Sequence, residues 1–241
     1  MAQKKHVPIN PFKDDLNVGV VGAGAMGRGI AQVAAVGGCH VQLYDAELEV
    51  SVEALDFIKK MLFRAVEKKK MKAENVTLAI SRIQIIDAMS AFKNCDIVIE
   101  AATENLSIKR KIFSELENVV EKDAILVSNT SSISITTIAC QCSYPGRVAG
   151  FHFFNPVPLM KLVEVVNGIQ TSDFVMDFLV GLGKRMGREP VRVSDAPGFL
   201  VNQVGRGYNI EAAHTCNEGI AKFSDVDNIM RDSAGFRMGP F

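Results

Sequence analysis

A glycine-rich turn constrains the fold of this chain more than any other feature of the sequence. Gly22, Gly24 and Gly27 have the spacing GxGxxG, directly after the β-branched run VGVV and at the start of an Ala-rich segment. Between a strand and a helix, three such glycines allow a tight bend, close approach of a pyrophosphate and close helix-on-strand packing. The N–H groups at the helix start, which includes Ala25 and Met26, attract phosphates. The motif therefore predicts a dinucleotide-binding βαβ unit.

An acidic residue further along the chain supports this prediction. Asp45 ends the next apolar run, HVQLYD, close to the roughly 20 residues beyond the glycines that the fingerprint requires. A carboxylate there accepts hydrogen bonds from a ribose 2′-hydroxyl and repels a 2′-phosphate, which predicts NAD rather than NADP. The simpler alternative is that Asp45 is a solvated strand end or the N-cap of the following helix.

Short apolar runs alternate with amphipathic segments in the first part of the chain. Continuous apolar runs are typical of strands buried on both faces. The strand candidates are VGVVG, HVQLYD, DIVIEAA, AILVSNT, RVAGFHF, LVEVV and PVRVS, and the predicted helices cover residues 25–36, 47–70, 106–120 and roughly 172–186. This alternation predicts an α/β fold with a Rossmann-type, doubly wound, mainly parallel sheet.

The alternation stops at DAPGFLVNQV, where Pro197 and Gly198 interrupt the pattern. Such residues mark loops and helix starts, so we place a domain boundary near Asp195, with one domain over residues 1–195. Residues 196–241 carry only helical patterns, with Ser224 as a candidate N-cap. Because this region is short for a self-sufficient core, we expect it to begin a helical domain that is incomplete or needs a partner chain.

Charge and cysteine usage exclude several classes of protein. Lys plus Arg and Asp plus Glu both number 27, so no overall field attracts the chain to nucleic acid or to an anionic membrane. The sequence has neither a membrane-length apolar run nor an N-terminal signal pattern. The five cysteines lack zinc-site spacing. We expect a soluble cytoplasmic protein without a metal, a nucleic acid partner or a membrane partner; a redox-active pair of Cys140 and Cys142 is an alternative for the thiols.

Four histidines are candidates for the base that an alcohol oxidation requires beside a hydride acceptor. His6 lies in the N-terminal segment, His40 begins the second strand and His214 lies in a predicted helix. His152 alone is near the C-terminal end of a predicted strand, where open α/β sheets bind ligands. We therefore take His152 as the candidate base.

Glu164 is the candidate partner of this histidine. It lies on the next predicted strand, after a loop that contains Pro156 and Pro158. A hydrogen bond between Glu164 and His152 would fix the imidazole tautomer and stabilise the imidazolium. The alternative is a structural histidine beside an exposed glutamate, and the spacing leaves both interpretations open.

Two further polar residues are candidate donors to a substrate oxygen. Ser131 follows the strand AILVSNT, and Asn202 follows the domain boundary. The alternatives are that Ser131 and Ser132 cap the next helix and that Asn202 lies on an ordinary helix surface.

With these residues in view, the chain resembles the L-3-hydroxyacyl-CoA dehydrogenase family from Val18 to Phe241. The motifs GAGAMGRGIA, VIEAATENLSIKRKIF, SNTSSISIT, GFHFFNPVPLMKLVEVV and DAPGFLVNQV occur in the family's order and with similar spacing. The resemblance implies an NAD-dependent enzyme that oxidises a 3-hydroxyacyl-CoA to the 3-ketoacyl-CoA, as in fatty acid β-oxidation or related acyl-CoA metabolism.

The resemblance also implies roles for individual residues. His152 would be the general base and Glu164 its orienting partner. Ser131 and Asn202 would hold the C3 oxygen of the substrate, and Asn155 would lie near the nicotinamide.

Several charged residues gain roles from the resemblance as well. Glu104 and Lys109 would contact the cofactor side of the site, although the sequence alone is equally compatible with surface charges. Lys68, Lys69 and Lys70, late in the long charged helix, match a region that contacts coenzyme A, with Lys69 as the best candidate. The alternative is a solvated helix face.

Members of the family usually continue beyond MGPF into helices that form the dimer contact, so the resemblance implies a truncated C-terminal domain and, where these helices are complete, a homodimer.

Two other functions remain open at this point. One is a non-catalytic NAD(H)-binding structural or regulatory relative of the family. The other is a dehydrogenase of free hydroxy acids, which would need an arginine for the substrate carboxylate; Arg147 and Arg206 are not obviously placed for this.

Overall fold

A computed structural model describes residues 9–241. Its centre is an eight-stranded sheet in the order β3-β2-β1-β4-β5-β6-β7-β8. The strands are β1 (Asn17–Val21), β2 (His40–Tyr44), β3 (Ile83–Ile85), β4 (Ile97–Glu100), β5 (Ile125–Ser128), β6 (Val148–Phe153), β7 (Leu162–Asn167) and β8 (Glu189–Ser194). The helices of this part are α1 (Ala25–Val36), α2 (Leu48–Glu67), α3 (Ala73–Ser81), α4 (Leu106–Val119), α5 (Ile135–Ala139) and α6 (Asp173–Arg185). The predicted α/β fold class is confirmed.

All neighbouring strands are parallel except β6 and β7, which are antiparallel. Strands β4, β5 and β6 are buried along their whole length, as their continuous apolar sequences predicted. Parallel strands end at the same edge of a sheet, so the loops that follow β1, β4, β5 and β6 meet along the C-terminal edge. This edge contains most of the candidate site residues.

The segment between residues 68 and 94 contains elements that the sequence analysis did not predict. These are α3, β3 and a 3₁₀ helix over Met89–Asn94. The long helix also ends earlier than predicted, at Glu67 rather than residue 70. The lysine run therefore lies in a turn, not in the helix.

Two backbone hydrogen bonds explain why α2 ends there. The N–H of Lys69 donates to the carbonyl of Val66, and the N–H of Lys70 donates to the carbonyl of Ala65, both at 2.8 Å. This pattern is a Schellman C-cap, and it places Lys69 in the left-handed region at φ 56°. Glycine usually occupies this position, so a lysine there gave no sequence signal for the end of the helix.

The chain divides into two compact units between Asp195 and Ala196. The second unit contains α7 (Val201–Asn217), α8 (Phe223–Asn228) and a π-helical turn over Ile229–Ser233. The prediction that Ser224 is an N-cap is wrong, because α8 begins at Phe223 and its N-cap is Lys222. Within the described residues, no helix is both long and apolar enough to cross a membrane.

Asp195, the last residue of the first unit, binds the start of α5. Its carboxylate accepts hydrogen bonds from the N–H groups of Ile135 and Thr136 at 3.0 and 2.8 Å and from the Ser134 hydroxyl at 2.7 Å. Partial burial opposes ionisation, but the bonds from Thr136, Ser134 and Ile135 outweigh it and lower the pKa of Asp195. The side chain thus acts as a charged cap for α5.

We expect Asp195→Ala to lower the free energy of unfolding by about 1 kcal/mol at neutral pH, the usual effect of losing a helix cap. Because the folded-state pKa lies below the ordinary value of 3.8, the contribution is fully present above that pH and is lost as the pH falls through the folded-state pKa. Urea unfolding at neutral and at acid pH measures this, with the exposed Asp87→Ala as control. An equal loss at both pH values would contradict the assignment.

Candidate active site

The glycine-rich turn connects β1 to α1 as the sequence predicted. Gly22 has φ 93°, a conformation that favours glycine, and its N–H donates to the Tyr44 carbonyl at 2.8 Å. A Cβ on Gly27 would lie 1.7 Å from the Gly22 carbonyl oxygen, whereas a Cβ on Gly24 would meet no atom within 4 Å. Gly24 is the N-cap of α1, without a side-chain cap, and Ala25 and Met26 form the first turn. Gly22 and Gly27 are thus required by the turn itself, while Gly24 leaves open space in front of the helix N-terminus.

Asp45 lies directly after β2 and joins two loops of this edge. Its Oδ2 accepts a hydrogen bond from the Ala23 N–H at 2.7 Å, and its Oδ1 accepts one from the Glu47 N–H at 3.3 Å. Since the N-cap of α2 is Glu47, the interpretation of Asp45 as the helix N-cap is wrong. The carboxylate is held beside the glycine turn and is half-buried.

A cleft of about 370 Å³ opens next to the same turn. Gly22, Tyr44 and Ala102 line it at the ends of β1, β2 and β4, and Met89, Ile108 and Ile112 form further apolar walls. This cleft is large enough for a planar heterocycle and offers it mainly apolar surface.

His152 and Glu164 face each other on β6 and β7. The antiparallel register pairs the two residues directly, and Nδ1 of His152 lies 2.6 Å from Oε2 of Glu164. Glu164 has an exposed fraction of 0% and His152 of 5%. The predicted hydrogen bond is confirmed, and the alternative of an exposed glutamate is wrong. Because an ionised carboxylate can only accept a hydrogen bond, Glu164 favours the tautomer of neutral His152 that has the proton on Nδ1 and the lone pair on Nε2.

The loop between β6 and β7 includes Asn155, which is exposed and precedes a cis peptide bond to Pro156. Arg188 holds this loop by donating from Nη1 to the carbonyls of Val157 at 2.9 Å and Met160 at 2.8 Å. A Cβ on Gly29 of α1 would lie 2.8 Å from Val157, so α1 packs closely on the same loop. The sequence analysis missed Arg188, because nothing in its local pattern indicates a contact with residues about thirty positions earlier.

Ser131 lies in the loop after β5, and Glu104 organises this loop. Oε1 of Glu104 accepts hydrogen bonds from the Thr130 hydroxyl at 2.5 Å and from the N–H groups of Ser131 and Ser132 at 3.0 and 3.2 Å. The alternative that Ser131 and Ser132 cap the next helix is wrong, since the N-cap of α5 is Ser134. The two serines are instead bound to a carboxylate from the loop after β4.

A hydrogen bond connects this loop to the strand of the candidate base. The side-chain oxygen of Asn129 accepts from the N–H of Phe153 at 2.9 Å. Phe153 follows His152 directly, so the loop that contains Ser131 is bound to the end of β6 that contains the imidazole.

Lys109 is buried, with an exposed fraction of 1%, so the interpretation of this residue as a surface charge is wrong. Its Nζ lies 2.7 Å from Oε1 of Glu100 and 3.4 Å from Oε2 of Glu104. Partial burial alone would raise the pKa of Glu104, but the Thr130 hydroxyl, the charge of Lys109 and the loop donors outweigh it and lower that pKa. Glu104 is therefore ionised at neutral pH.

The other predicted residues lie elsewhere. Lys69 is in the turn after α2, Asn202 is half-buried in α7 of the second unit, and His6 lies outside the described residues. His40 is exposed at the start of β2, and His214 is near the end of α7.

Two alternatives from the sequence analysis disagree with the structure: Arg147 as a partner of a substrate carboxylate, and a redox-active pair of cysteines. Arg147 is buried and donates to the carbonyls of Glu121 and Ala124 at 2.8 and 3.2 Å, so its guanidinium supports the fold and does not face the C-terminal edge. Burial, and then the nearby charge of Glu117, raise the pKa of Cys142 to about 11, which disfavours the thiolate that a redox-active pair needs.

Comparison with known proteins agrees with this geometry. Residues 17–196 match the NAD binding domain of 3-hydroxyacyl-CoA dehydrogenase, and residues 198–241 match the C-terminal domain of the same family. The chain belongs to the 3-hydroxyacyl-CoA dehydrogenase family. The predicted family and the predicted cofactor, NAD, are confirmed.

Individual relatives in this family are similar over nearly the whole chain. It is 44% identical to the 3-hydroxyadipyl-CoA dehydrogenase of Escherichia coli over 92% of its length, and 42% identical to a probable 3-hydroxybutyryl-CoA dehydrogenase of Bacillus subtilis, also over 92%. The chain spans 47% of the first relative and 77% of the second.

Solved structures give the same result. A 3-hydroxybutyryl-CoA dehydrogenase from Escherichia coli K12 has a TM-score of 0.92 at 43% identity, covering 95% of this chain and 48% of that protein. The (S)-3-hydroxybutyryl-CoA dehydrogenase from Ralstonia eutropha has a TM-score of 0.89 at 40% identity, covering 93% of this chain and 79% of that protein. The 3-hydroxyacyl-CoA dehydrogenase fold therefore extends over both units.

Proposed function

We propose that this chain catalyses the NAD-dependent oxidation of an L-3-hydroxyacyl-CoA to the 3-ketoacyl-CoA, and the reverse reduction. The observation that carries the proposal is the 2.6 Å hydrogen bond between His152 and the buried Glu164. It lies at the sheet edge that also contains the glycine-rich turn. A buried carboxylate that orients a histidine is the arrangement that general base catalysis requires.

In the proposed mechanism, Nε2 of His152 accepts the proton of the substrate's C3 hydroxyl group. Glu164 keeps the proton on Nδ1 before the reaction and stabilises the imidazolium that results. Bound NAD supplies a hydride acceptor for the hydrogen at C3. In the reverse direction the His152 imidazolium returns its proton to the C3 oxygen, so the same pair acts as general acid.

The cofactor contacts remain part of this proposal. The backbone of Gly22, Gly24, Ala25, Met26 and Gly27 would bind the pyrophosphate at the N-terminus of α1. The half-buried carboxylate of Asp45 would accept from the adenosine ribose, and the apolar cleft beside Tyr44 would hold the adenine ring.

On the nicotinamide side, we assign Glu104, Lys109, Ser131 and Asn155. Glu104, Ser131 and Asn155 lie in the loops that follow β4, β5 and β6 at the same edge, and Lys109 lies in α4. Ser131 would also donate a hydrogen bond to the C3 oxygen of the substrate. The role of Asn202 as a second donor to this oxygen rests on the family resemblance alone.

For coenzyme A, we assign Lys69 as a contact with a phosphate group. The turn also contains Lys68 and Lys70, and Lys72 follows as the N-cap of α3, so four lysines lie within five residues. A substitution at Lys69 tests this assignment.

The left-handed backbone of Lys69 allows a substitution that tests this contact without a loss of stability. We expect Lys69→Gly to keep or raise the free energy of unfolding, by up to about 1 kcal/mol, because glycine adopts φ 56° without steric strain. The same change should raise the KM for acyl-CoA several-fold and leave the KM for NAD unchanged. Steady-state kinetics and thermal unfolding measure both effects, with Lys93→Gly, outside the turn, as control. A variant with an unchanged KM for acyl-CoA would contradict the contact.

A turnover assay tests the proposed function itself. NADH formation is followed with NAD and either L-3-hydroxybutyryl-CoA or free L-3-hydroxybutyrate, in the natural polypeptide that contains this chain. We expect NADH only with the thioester. Turnover of the free acid would favour a hydroxy acid dehydrogenase, and NADH binding without turnover of any acyl-CoA would favour a non-catalytic relative.

Two further proposals concern the assembly and the location of the protein. We propose a homodimer through the C-terminal helices, as the family resemblance implies, and a cytoplasmic location. All five cysteines are free thiols, which agrees with a reducing compartment. Sedimentation analysis would test the dimer, because a monomer at micromolar concentration would contradict it.

A further inference from the structure

A fully buried ion pair joins the end of β4 to α4, and the mechanism above assigns no role to its carboxylate. Glu100, the last residue of β4, and Lys109, in the second turn of α4, have exposed side-chain fractions of 0% and 1%. Their charged atoms are 2.7 Å apart. Taking two charges out of water is expensive, and apolar residues in their place are often equally stable. Stability alone is therefore a poor explanation for this pair.

Glu100 connects three segments of the C-terminal edge. Its Oε1 accepts hydrogen bonds from the Ala102 N–H and from Lys109, both at 2.7 Å, and its Oε2 accepts one from the Ser128 hydroxyl at 2.6 Å. The Ser128 oxygen in turn accepts from the Thr130 N–H at 3.2 Å. One carboxylate thus fixes the loop after β4, the end of β5 and the start of α4.

Lys109 provides a second path from Glu100 to the same loop. Its Nζ lies 3.4 Å from Oε2 of Glu104, and Oε1 of Glu104 accepts from Thr130, Ser131 and Ser132. The path through Ser128 and the path through Lys109 and Glu104 therefore both end at residues 130–132. Two negative charges share one buried positive charge in this ring of contacts.

We propose that Glu100 is a positioning residue for the dehydrogenase reaction. Through Ser128 and through Lys109, it holds Glu104 and the Ser131 loop in the geometry that the reaction needs. The proposal rests on the proposed function, since it assigns Ser131 to the substrate oxygen. Glu100 itself has no contact with the reacting atoms in this scheme.

The nearly isosteric change Glu100→Gln removes the negative charge and keeps the size of the side chain. Lys109 is then left with Glu104 as its anionic partner, which draws that carboxylate away from the loop. We expect kcat with L-3-hydroxybutyryl-CoA to fall about 10- to 100-fold, the loss that a displacement of about 1 Å produces. The pH at which kcat/KM is half-maximal should stay unchanged, because His152 and Glu164 are outside the ring of contacts.

Glu117→Gln is the matched control. Glu117 lies in α4 with an exposed side-chain fraction of 10%, 3.4 Å from Arg147, and it accepts from the N–H groups of Ser143 and Tyr144 at 2.7 and 3.1 Å. These partners precede β6, so Glu117 lies at the opposite edge of the sheet. We expect this variant to lose stability as Glu100→Gln does, but to keep the wild-type kcat.

The possible results distinguish the positioning role from the proposed function. Active wild type, a kcat loss in Glu100→Gln and none in Glu117→Gln would support the proposal. If the wild type is active and both variants stay within about twofold of its kcat, or both lose kcat equally, the positioning role alone is overturned. An inactive wild type would overturn the proposed function and this inference together. If Glu100→Gln does not fold, Ser128→Ala decides, because it removes only the hydroxyl link and should lower kcat with little change in the thermal midpoint.

Discussion

Replacing His152 with glutamine should lower kcat for L-3-hydroxyacyl-CoA oxidation by about 10²- to 10⁴-fold, the range that general base catalysis contributes. Glutamine retains a polar side chain of similar reach but has no basic nitrogen. We expect the dissociation constant for NADH to stay within about twofold of wild type, since the cofactor contacts proposed here come from other residues. Stopped-flow kinetics and calorimetric titration with NADH measure the two quantities.

His40→Gln is the control for this experiment, because His40 is exposed at the start of β2, away from the C-terminal edge. It should keep the wild-type kcat. Glu164→Gln should also lower kcat, by at least about tenfold, since the neutral amide no longer stabilises the imidazolium. A His152→Gln variant that kept most of the wild-type rate would show that another group accepts the proton.

The glycine turn gives the second large prediction, because two of its glycines should respond differently to alanine. Gly27→Ala should lower the free energy of unfolding by about 3 kcal/mol or more and abolish NADH binding, since its Cβ would lie 1.7 Å from the Gly22 carbonyl oxygen. Gly24→Ala should lower the free energy of unfolding by no more than about 1 kcal/mol, the cost of a poorer N-cap, because its φ of −61° suits alanine and no atom lies within 4 Å of the new Cβ.

Gly24→Ala should nevertheless weaken NADH binding about tenfold or more, which corresponds to about 1.4 kcal/mol. In the proposed complex the added methyl group occupies the space through which the pyrophosphate approaches the backbone. Thermal unfolding and calorimetry of the same two proteins separate fold from binding. A Gly24→Ala variant with wild-type stability and wild-type NADH affinity would place the pyrophosphate elsewhere.

The features that the sequence predicted well are those in which local pattern and tertiary structure agree. The strand, the GxGxxG turn and the helix at residues 17–36 are one example, because the steric requirement for glycine at this turn is local. The sequence also predicted the pair of His152 and Glu164, because a Pro-rich loop between two apolar strands places the strands next to each other in the sheet. The hydrogen bond between them followed once β6 and β7 paired in register.

The features that the sequence could not predict depend on contacts between distant segments. The burial of Lys109 follows from Glu100 and the surrounding sheet, although a lysine among the charges of α4 has the pattern of a surface residue. The end of α2 at Glu67 depends on a lysine in a left-handed conformation that usually requires glycine. Arg188 binds carbonyl groups in the loop between β6 and β7. Strand β7 and helix α6 separate this loop from Arg188 along the chain, and no local pattern encodes such a contact.

Transfer of the C3 hydrogen is the most direct test of the central claim, that this chain moves a hydride from a 3-hydroxyacyl-CoA to NAD with His152 as base. The measurement uses L-3-hydroxybutyryl-CoA deuterated at C3, with NADH and 3-ketoacyl-CoA analysed by mass spectrometry. We predict equal amounts of deuterated NADH and 3-ketobutyryl-CoA from the wild type, and a rate at least about 10²-fold lower from His152→Gln. Binding of NADH with no deuterium transfer in the wild type, or transfer at the same rate in the variant, would contradict the account.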